Sequence, residues 1–177
     1  VSQKLKISEA SLQDFEERIA LAAEAAQFGV WELDPTTNKV WISEKTRTLF
    51  QLPSETEIEY TAFQERVHPE DRPMREAAIR QAIAAGGSYE MEFRICLPDG
   101  TVRWMTGRAR CIDSNNGGPC RLLGVSMDVT QRKQAEELFR LATEALPSGT
   151  LLVDVQRRIV LVNSHVERLF GYSRDEL

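Results

Sequence analysis

The sequence of 177 residues predicts an α+β fold. Three observations carry this. The hydrophobic period changes from helical to alternating after Gly87, turn chemistry cuts the alternating stretch into three strands, and a repeat at constant offset makes the same unit begin twice.

Residues 4–27 are helical in pattern. Leu5, Leu12 and Ile19 are seven apart, and Phe15 and Ala22 follow the second and third by three. Two readings stay open: a short heptad seam that pairs with another helix, or one amphipathic helix lying on the domain that follows. Gly29 is expected to end it. Residues 30–33 and 39–42 are short strands rich in Val, Ile and Trp, joined by the turn at residues 34–38. Ser43 is a suitable N-cap for a helix over residues 44–50. Residues 61–67 suggest one or two more helical turns. The next helix is predicted to start at Pro69, with Glu70 and Asp71 at its positive end and Gly86-Gly87 as its stop. Ala78, Ile79, Ala82 and Ile83 form its apolar stripe.

Beyond Gly87, Tyr89, Met91, Phe93 and Ile95 alternate with Glu90, Glu92 and Arg94, so one strand face is apolar. Pro98-Asp99-Gly100 is a turn. Residues 101–113 and 121–129 form two further strands about a second turn at 115–118, which gives an antiparallel meander. Helix resumes over residues 130–144.

Setting residues 21–50 against 141–170 needs no gap and gives nine identities in thirty positions. Random register would give about two at ordinary composition. Apolar character matches too: Trp31 and Leu33 stand against Leu151 and Val153, and Trp41 and Ile42 against Leu161 and Val162. The same supersecondary unit therefore begins twice. The second copy supplies strands at 150–155 and 159–162, a hairpin that cannot bury its own Leu and Val residues. It is expected either to dock on a partner chain or to be poorly ordered.

Composition excludes several functions. A net charge of −5 argues against nucleic acid as a partner, since phosphate binding needs a basic patch. No apolar run is long enough to cross a bilayer and no leader is visible, so no membrane contact is expected within these residues. The chain does not begin with Met, which leaves room for an anchor upstream. Three cysteines without a CxxC pair suit a reducing, cytoplasmic setting, and with only His68 and His165 beside them no metal site is expected. Cys111 and Cys120 flank the second turn and are expected as two reduced, partly buried thiols, with a cross-strand redox pair as the alternative. There is no GxSxG, no acid pair beside a nucleophile and no phosphate-cradling glycine loop, so no catalytic site is expected.

The element order and several motifs resemble the PAS family. The matching segments are Phe28-Gly29-Val30-Trp31-Glu32-Leu33-Asp34, Val67-His68-Pro69-Glu70-Asp71-Arg72, Glu92-Phe93-Arg94, Pro98-Asp99-Gly100, Val102-Arg103-Trp104, and the run from Gly124 to Lys133. Leu169-Phe170-Gly171-Tyr172 and the residues up to Leu177 are similar to the family's opening region. The resemblance implies a five-stranded antiparallel sheet with helices on one face and a cavity between them. It divides the chain into an N-terminal helix at 1–27, a complete domain at 28–130, a linker helix at 131–147 and the start of a second domain at 148–177.

It also implies a sensory input module that forms a homodimer through its terminal helices. Such a module relays a ligand or partner signal to an output domain, here expected to be a histidine kinase in the parent chain. The alternatives are a haem- or flavin-binding sensor and a ligand-free dimerisation module of a diguanylate cyclase. A pocket, if present, is expected to be lined by Phe63, Ile79, Ile83, Phe93 and Trp104, with no cofactor and an unknown small molecule as occupant. Asp128, Thr130 and Arg132 are expected to couple the last strand to the exit helix, Asp128 or Thr130 as its cap and Arg132 as a partner for Asp128 or another acid. His68 precedes a proline among charged neighbours and is read as a structural histidine rather than a haem ligand. His165 is expected to be exposed. Cys120-Arg121 resembles the flavin-adduct pair of the light-sensing branch, which lies on a helix there, but here it follows Gly117-Gly118-Pro119 and leads into the final strand, the wrong place for that chemistry.

Overall fold

Strand β1 (Phe28–Asp34) turns every second side chain inward, so that Gly29, Trp31 and Leu33 are buried. The computed structural model describes residues 21, 23, 25–54, 57–112, 120–173 and 176. The heptad positions Leu5, Leu12, Phe15, Ile19 and Ala22 and the turn at 115–118 lie outside the described residues. Gly29 does not end a helix. The left-handed turn falls at Gln27, whose φ is 58°, and Gly29 is already in the strand. A Cβ there would stand 2.7 Å from the backbone of Thr46, which is why this position takes glycine.

The strand β2 (Lys39–Ile42) pairs antiparallel with β1 across a turn held by Asp34, whose carboxylate accepts from Thr36 N at 2.8 Å. Helix α1 (Glu44–Phe50), strand β3 (Glu57–Glu59) and helix α2 (Tyr60–Arg66) follow. Helix α3 (Arg72–Ala85) stops at Gly86, whose φ of 60° favours a residue without Cβ. Next come β4 (Ser88–Cys96), β5 (Val102–Ile112) and β6 (Arg121–Asp128). The sheet order is β3-β2-β1-β6-β5-β4, and every pairing is antiparallel.

The last strand of the domain therefore lies in the middle of the sheet, between β1 and β5. The sheet has six strands rather than five, the addition being β3 at the edge. Its Glu-Ile-Glu sequence is too short to show a period, and its pairing to β2 is decided by the chain's return from α1. The α3 helix starts at Arg72, three residues later than Pro69 suggests, with Pro73 in its first turn. Asp71, at the cap, spends its carboxylate on Arg94 rather than on the helix.

One face of the sheet meets the helices. Trp31, Leu33, Val40, Ile42, Tyr89, Phe93, Ile95, Met105 and Leu122 from the strands pack with Leu49, Phe50, Phe63, Ile79 and Ala82 from the helices. The other face carries Glu90, Arg108 and Val125. It holds an open groove of about 450 Å³, also lined by Leu123.

Contacts divide the chain into two compact units, residues 1–130 and 131–177. Helix α4 (Thr130–Glu144) starts at that boundary. The second unit then has β7 (Leu151–Val153), β8 (Ile159–Val162) and α5 (Ser164–Phe170), with β7 and β8 forming a sheet of their own. The repeat is visible atom by atom. Ser43 Oγ accepts from Val30 N at 3.0 Å and Thr46 N at 3.3 Å. At the offset of the repeat, Asn163 Oδ1 accepts from Thr150 N at 2.9 Å and Val166 N at 3.2 Å. Burial repeats only in part: Ile42 and Thr46 and their counterparts Val162 and Val166 are all buried, whereas Leu49 and Phe50 are 7% and 0% exposed and Leu169 and Phe170 are 72% and 62% exposed. His165 is half-buried rather than exposed, with its ring Nδ1 shielded from solvent.

Candidate functional site

The expected site residues gather in two places. One is the interior between α2, α3 and β4. Phe63, Ile79 and Phe93 are buried there and Ile83 is partly buried, so these four expected pocket residues share one side of the sheet. Trp104 is a correction. It pairs with Arg94 in the β4–β5 register, and that row faces away from the core, with the Arg94 guanidinium 5.7 Å from the Trp104 ring. Its neighbour Met105, opposite Phe93, takes the inward place. Alternation along β5 decides this, and Gly107, under the Phe93 ring, is the nearest sequence sign of which row faces in.

The interior also holds a residue that sequence patterning missed. Arg75, on α3, is 1% exposed. Its Nη1 donates to Gln64 Oε1 at 2.7 Å, and its Cζ lies 5.1 Å from the ring centroids of both Phe63 and Phe93. Its position within the stripe of Ala78, Ile79 and Ala82 was the available signal, since an arginine three or four residues before buried positions shares their face. Burial raises the phenol pKa of Tyr60 and of Tyr89 above the usual tyrosine value, so both stay protonated.

The other place is the junction of β6 and α4. Thr130 N, the first helical amide, donates to Asp128 Oδ1 at 2.8 Å. Val129 N donates to Trp104 O at 2.8 Å, and Thr130 Oγ1 accepts from Trp104 N at 2.9 Å. The threonine hydroxyl thus supplies one more rung of the β5–β6 ladder while the backbone already turns into helix. The second Asp128 oxygen lies 3.6 Å from Arg103 of β5. Arg132 forms an i,i+4 ion pair with Glu136 at 2.6 Å. Asp128 and Thr130 are therefore both at the junction, each with a defined partner.

His68 donates its backbone N–H to Arg94 O at 2.8 Å, and its ring Nδ1 accepts from Glu70 N at 3.4 Å. It stands with Glu70 and Asp71 in a small polar cluster, in which Asp71 is bound to Arg94. Cys111 and Cys120 are joined as a disulfide rather than reduced. Their Cα atoms lie 5.5 Å apart, within bonding range, although the residue opposite Cys111 in the register is Leu122, and Cys96 is the free thiol among the described residues. No described helix is long and apolar enough to cross a membrane.

Comparison with known proteins agrees with this architecture. Residues 39–126 match one family description of the PAS fold and residues 137–177 match a second. The chain is 29% identical over 180 residues to the protein named "Probable diguanylate cyclase DgcE" of Escherichia coli K12, covering 98% of this chain and 16% of that protein. It is 28% identical over 167 residues to Sensor protein FixL of Bradyrhizobium diazoefficiens, covering 90% of this chain and 33% of the relative. It thus spans a third or less of the length of these two relatives. Among solved structures, a sensory box histidine kinase/response regulator from Burkholderia thailandensis aligns with a TM-score of 0.60 at 29% identity, over 71% of this chain and 94% of that one. The matched motifs, the central β6 and the two family matches agree: the chain belongs to the PAS fold family.

Proposed function

We propose that the first unit senses a small-molecule ligand or partner in its interior and relays the event through β6 into α4. The signal would pass to an output domain, a histidine kinase, in a cytoplasmic homodimer held by its terminal helices. The observation that carries this reading is the junction. The central strand of the sheet becomes a helix at Thr130, and Asp128 and Thr130 tie the first helical turn to Trp104 of the neighbouring strand. A shift of β5 or β6 therefore strains the first turn of α4 directly. Exposed Leu138, Phe139 and Leu141 on α4 are consistent with a helix that meets a second copy. A diguanylate cyclase output is the second reading, favoured by the likeness to DgcE over almost the whole chain.

Amide hydrogen exchange tests the relay. Asp128→Ala is expected to speed exchange across the first turn of α4 while β4 and β5 keep their protection. Unchanged exchange in that turn, or loss of the whole fold, would defeat the relay. Sedimentation tests assembly, and a monomer at tens of micromolar with a protected β7–β8 hairpin would remove the dimer.

A further inference from the structure

Asp71 and Arg75 are the charged residues buried among those described, and their situations differ. Asp71 is neutralised by Arg94. Arg75 has no carboxylate within ion-pair distance among the described residues. A guanidinium stays charged at any physiological pH, and an isolated buried charge is costly unless matched. The neutral Gln64 oxygen and two phenyl faces offset part of that cost. Nε has no acceptor, and the Tyr60 hydroxyl lies at 3.5 Å, a long contact. The buried Tyr89 hydroxyl has no partner at full hydrogen-bonding geometry, and Arg75 acts on it through its charge and a looser side-chain contact. The two phenols stay protonated, so they too have protons to donate.

Donors thus outnumber acceptors at this point, the net charge is positive, and the walls are aromatic. A single cation calls for a single negative charge, because a dianion such as phosphate would leave an unmatched charge buried. Phe63, Phe93 and Trp31 call for an apolar body beside it. We propose that Arg75, Tyr60 and Tyr89 are the recognition end of a site for a small apolar monocarboxylate between α2, α3 and β4. The inference rests on the ligand-sensing reading above and adds the chemical class of the ligand.

The test is titration calorimetry of the whole chain at fixed ionic strength with acetate, isovalerate, phenylacetate and benzoate, with benzamide as the neutral isostere of benzoate. At least one of the acids should bind saturably, and benzamide at least about tenfold more weakly than benzoate. Arg75→Met should weaken the best acid about thirtyfold and Tyr89→Phe about fivefold. If Arg75→Met does not fold, Tyr89→Phe carries the comparison, because it removes only a hydroxyl. Equal binding of benzoate and benzamide, or an unchanged affinity in Tyr89→Phe, overturns the carboxylate site but leaves a ligand sensor standing. No binding of any acid overturns the site as well, and the sensor reading falls with it only if the purified protein also releases no small molecule on denaturation.

Discussion

Asp71 and Arg94 lock the turn before α3 to the middle of β4. The Asp71 carboxylate accepts from the Arg94 backbone N–H at 2.7 Å and from its guanidinium at 2.6 and 3.1 Å, and Glu70 takes a further guanidinium proton at 2.8 Å. Two short motifs, one ending in Glu-Asp-Arg and the other in Phe-Arg, are thus halves of a single bidentate ion pair. The hydrogen bonds from Arg94 hold the Asp71 carboxyl below the usual carboxylate range, and the guanidinium is pushed upward in turn.

The sign of its pH dependence follows. A carboxyl whose folded value is lowered contributes stability that is complete above its unfolded value and is lost as pH falls through the folded one. Arg94 stays protonated throughout. Asp71→Asn should therefore cost about 2 kcal/mol at pH 7, and the gap to wild type should begin to narrow as pH falls below about 4. Urea midpoints at pH 7 and pH 3 measure it. A gap of the same size at both values would show that the charge contributes nothing.

Trp31 and Gly124 make a second testable contact. The Trp31 indole N–H donates to Ser126 Oγ at 3.0 Å, which lays the ring beneath β6. A Cβ on Gly124 would come within 2.3 to 2.8 Å of three ring atoms. Gly124→Ala should destabilise by about 2 kcal/mol, and much less when Trp31 is already leucine. A double-mutant cycle by chemical denaturation gives the coupling, and additive costs would refute the contact.

Ser43 and Asn163 hold equivalent turns. Ser43→Ala should cost about 1 kcal/mol by leaving the amides of Val30 and Thr46 without their side-chain acceptor, whereas Ser43→Asn should be milder because asparagine does this work in the second unit. Thermal melts of the two variants would decide. If asparagine were as costly as alanine, the equivalence would be of sequence only.

Thr130→Val keeps the shape of the side chain and removes its oxygen. Trp104 N–H would lose its acceptor at a cost of about 1 kcal/mol, and its exchange should accelerate while residues nearer the middle of β5 stay protected. Protection of the Trp104 amide equal to wild type would mean that the hydroxyl does not extend the ladder.

Much of this was legible in the chain because it rests on local chemistry. Period two named β4, Ser43 named the start of α1, Gly86 named the end of α3, and the matched columns at 21–50 and 141–170 named the repeat. What was not legible depends on residues distant in sequence. Trp104 and Phe93 both look like core residues, and only the cross-strand register puts one outside and one inside. Gly29 resembles a helix stop until Thr46 is seen against it. Cys111 and Cys120 become partners only when the hairpin brings their backbones together.

The sequence by itself determined the order of the elements apart from the edge strand β3, the antiparallel meander and the doubled opening unit, since periodicity, caps and turns act over a few residues. Tertiary structure alone decided that Trp104 faces away from the core, that Asp71 belongs to Arg94, and that Arg75 is enclosed between two phenyl rings. It also decided that Leu49 and Phe50 are buried while Leu169 and Phe170 are not. The physical reason is common to all four: burial and charge pairing are properties of what a side chain meets across space, and identical local sequence can meet an enclosed core in one copy and solvent in the other.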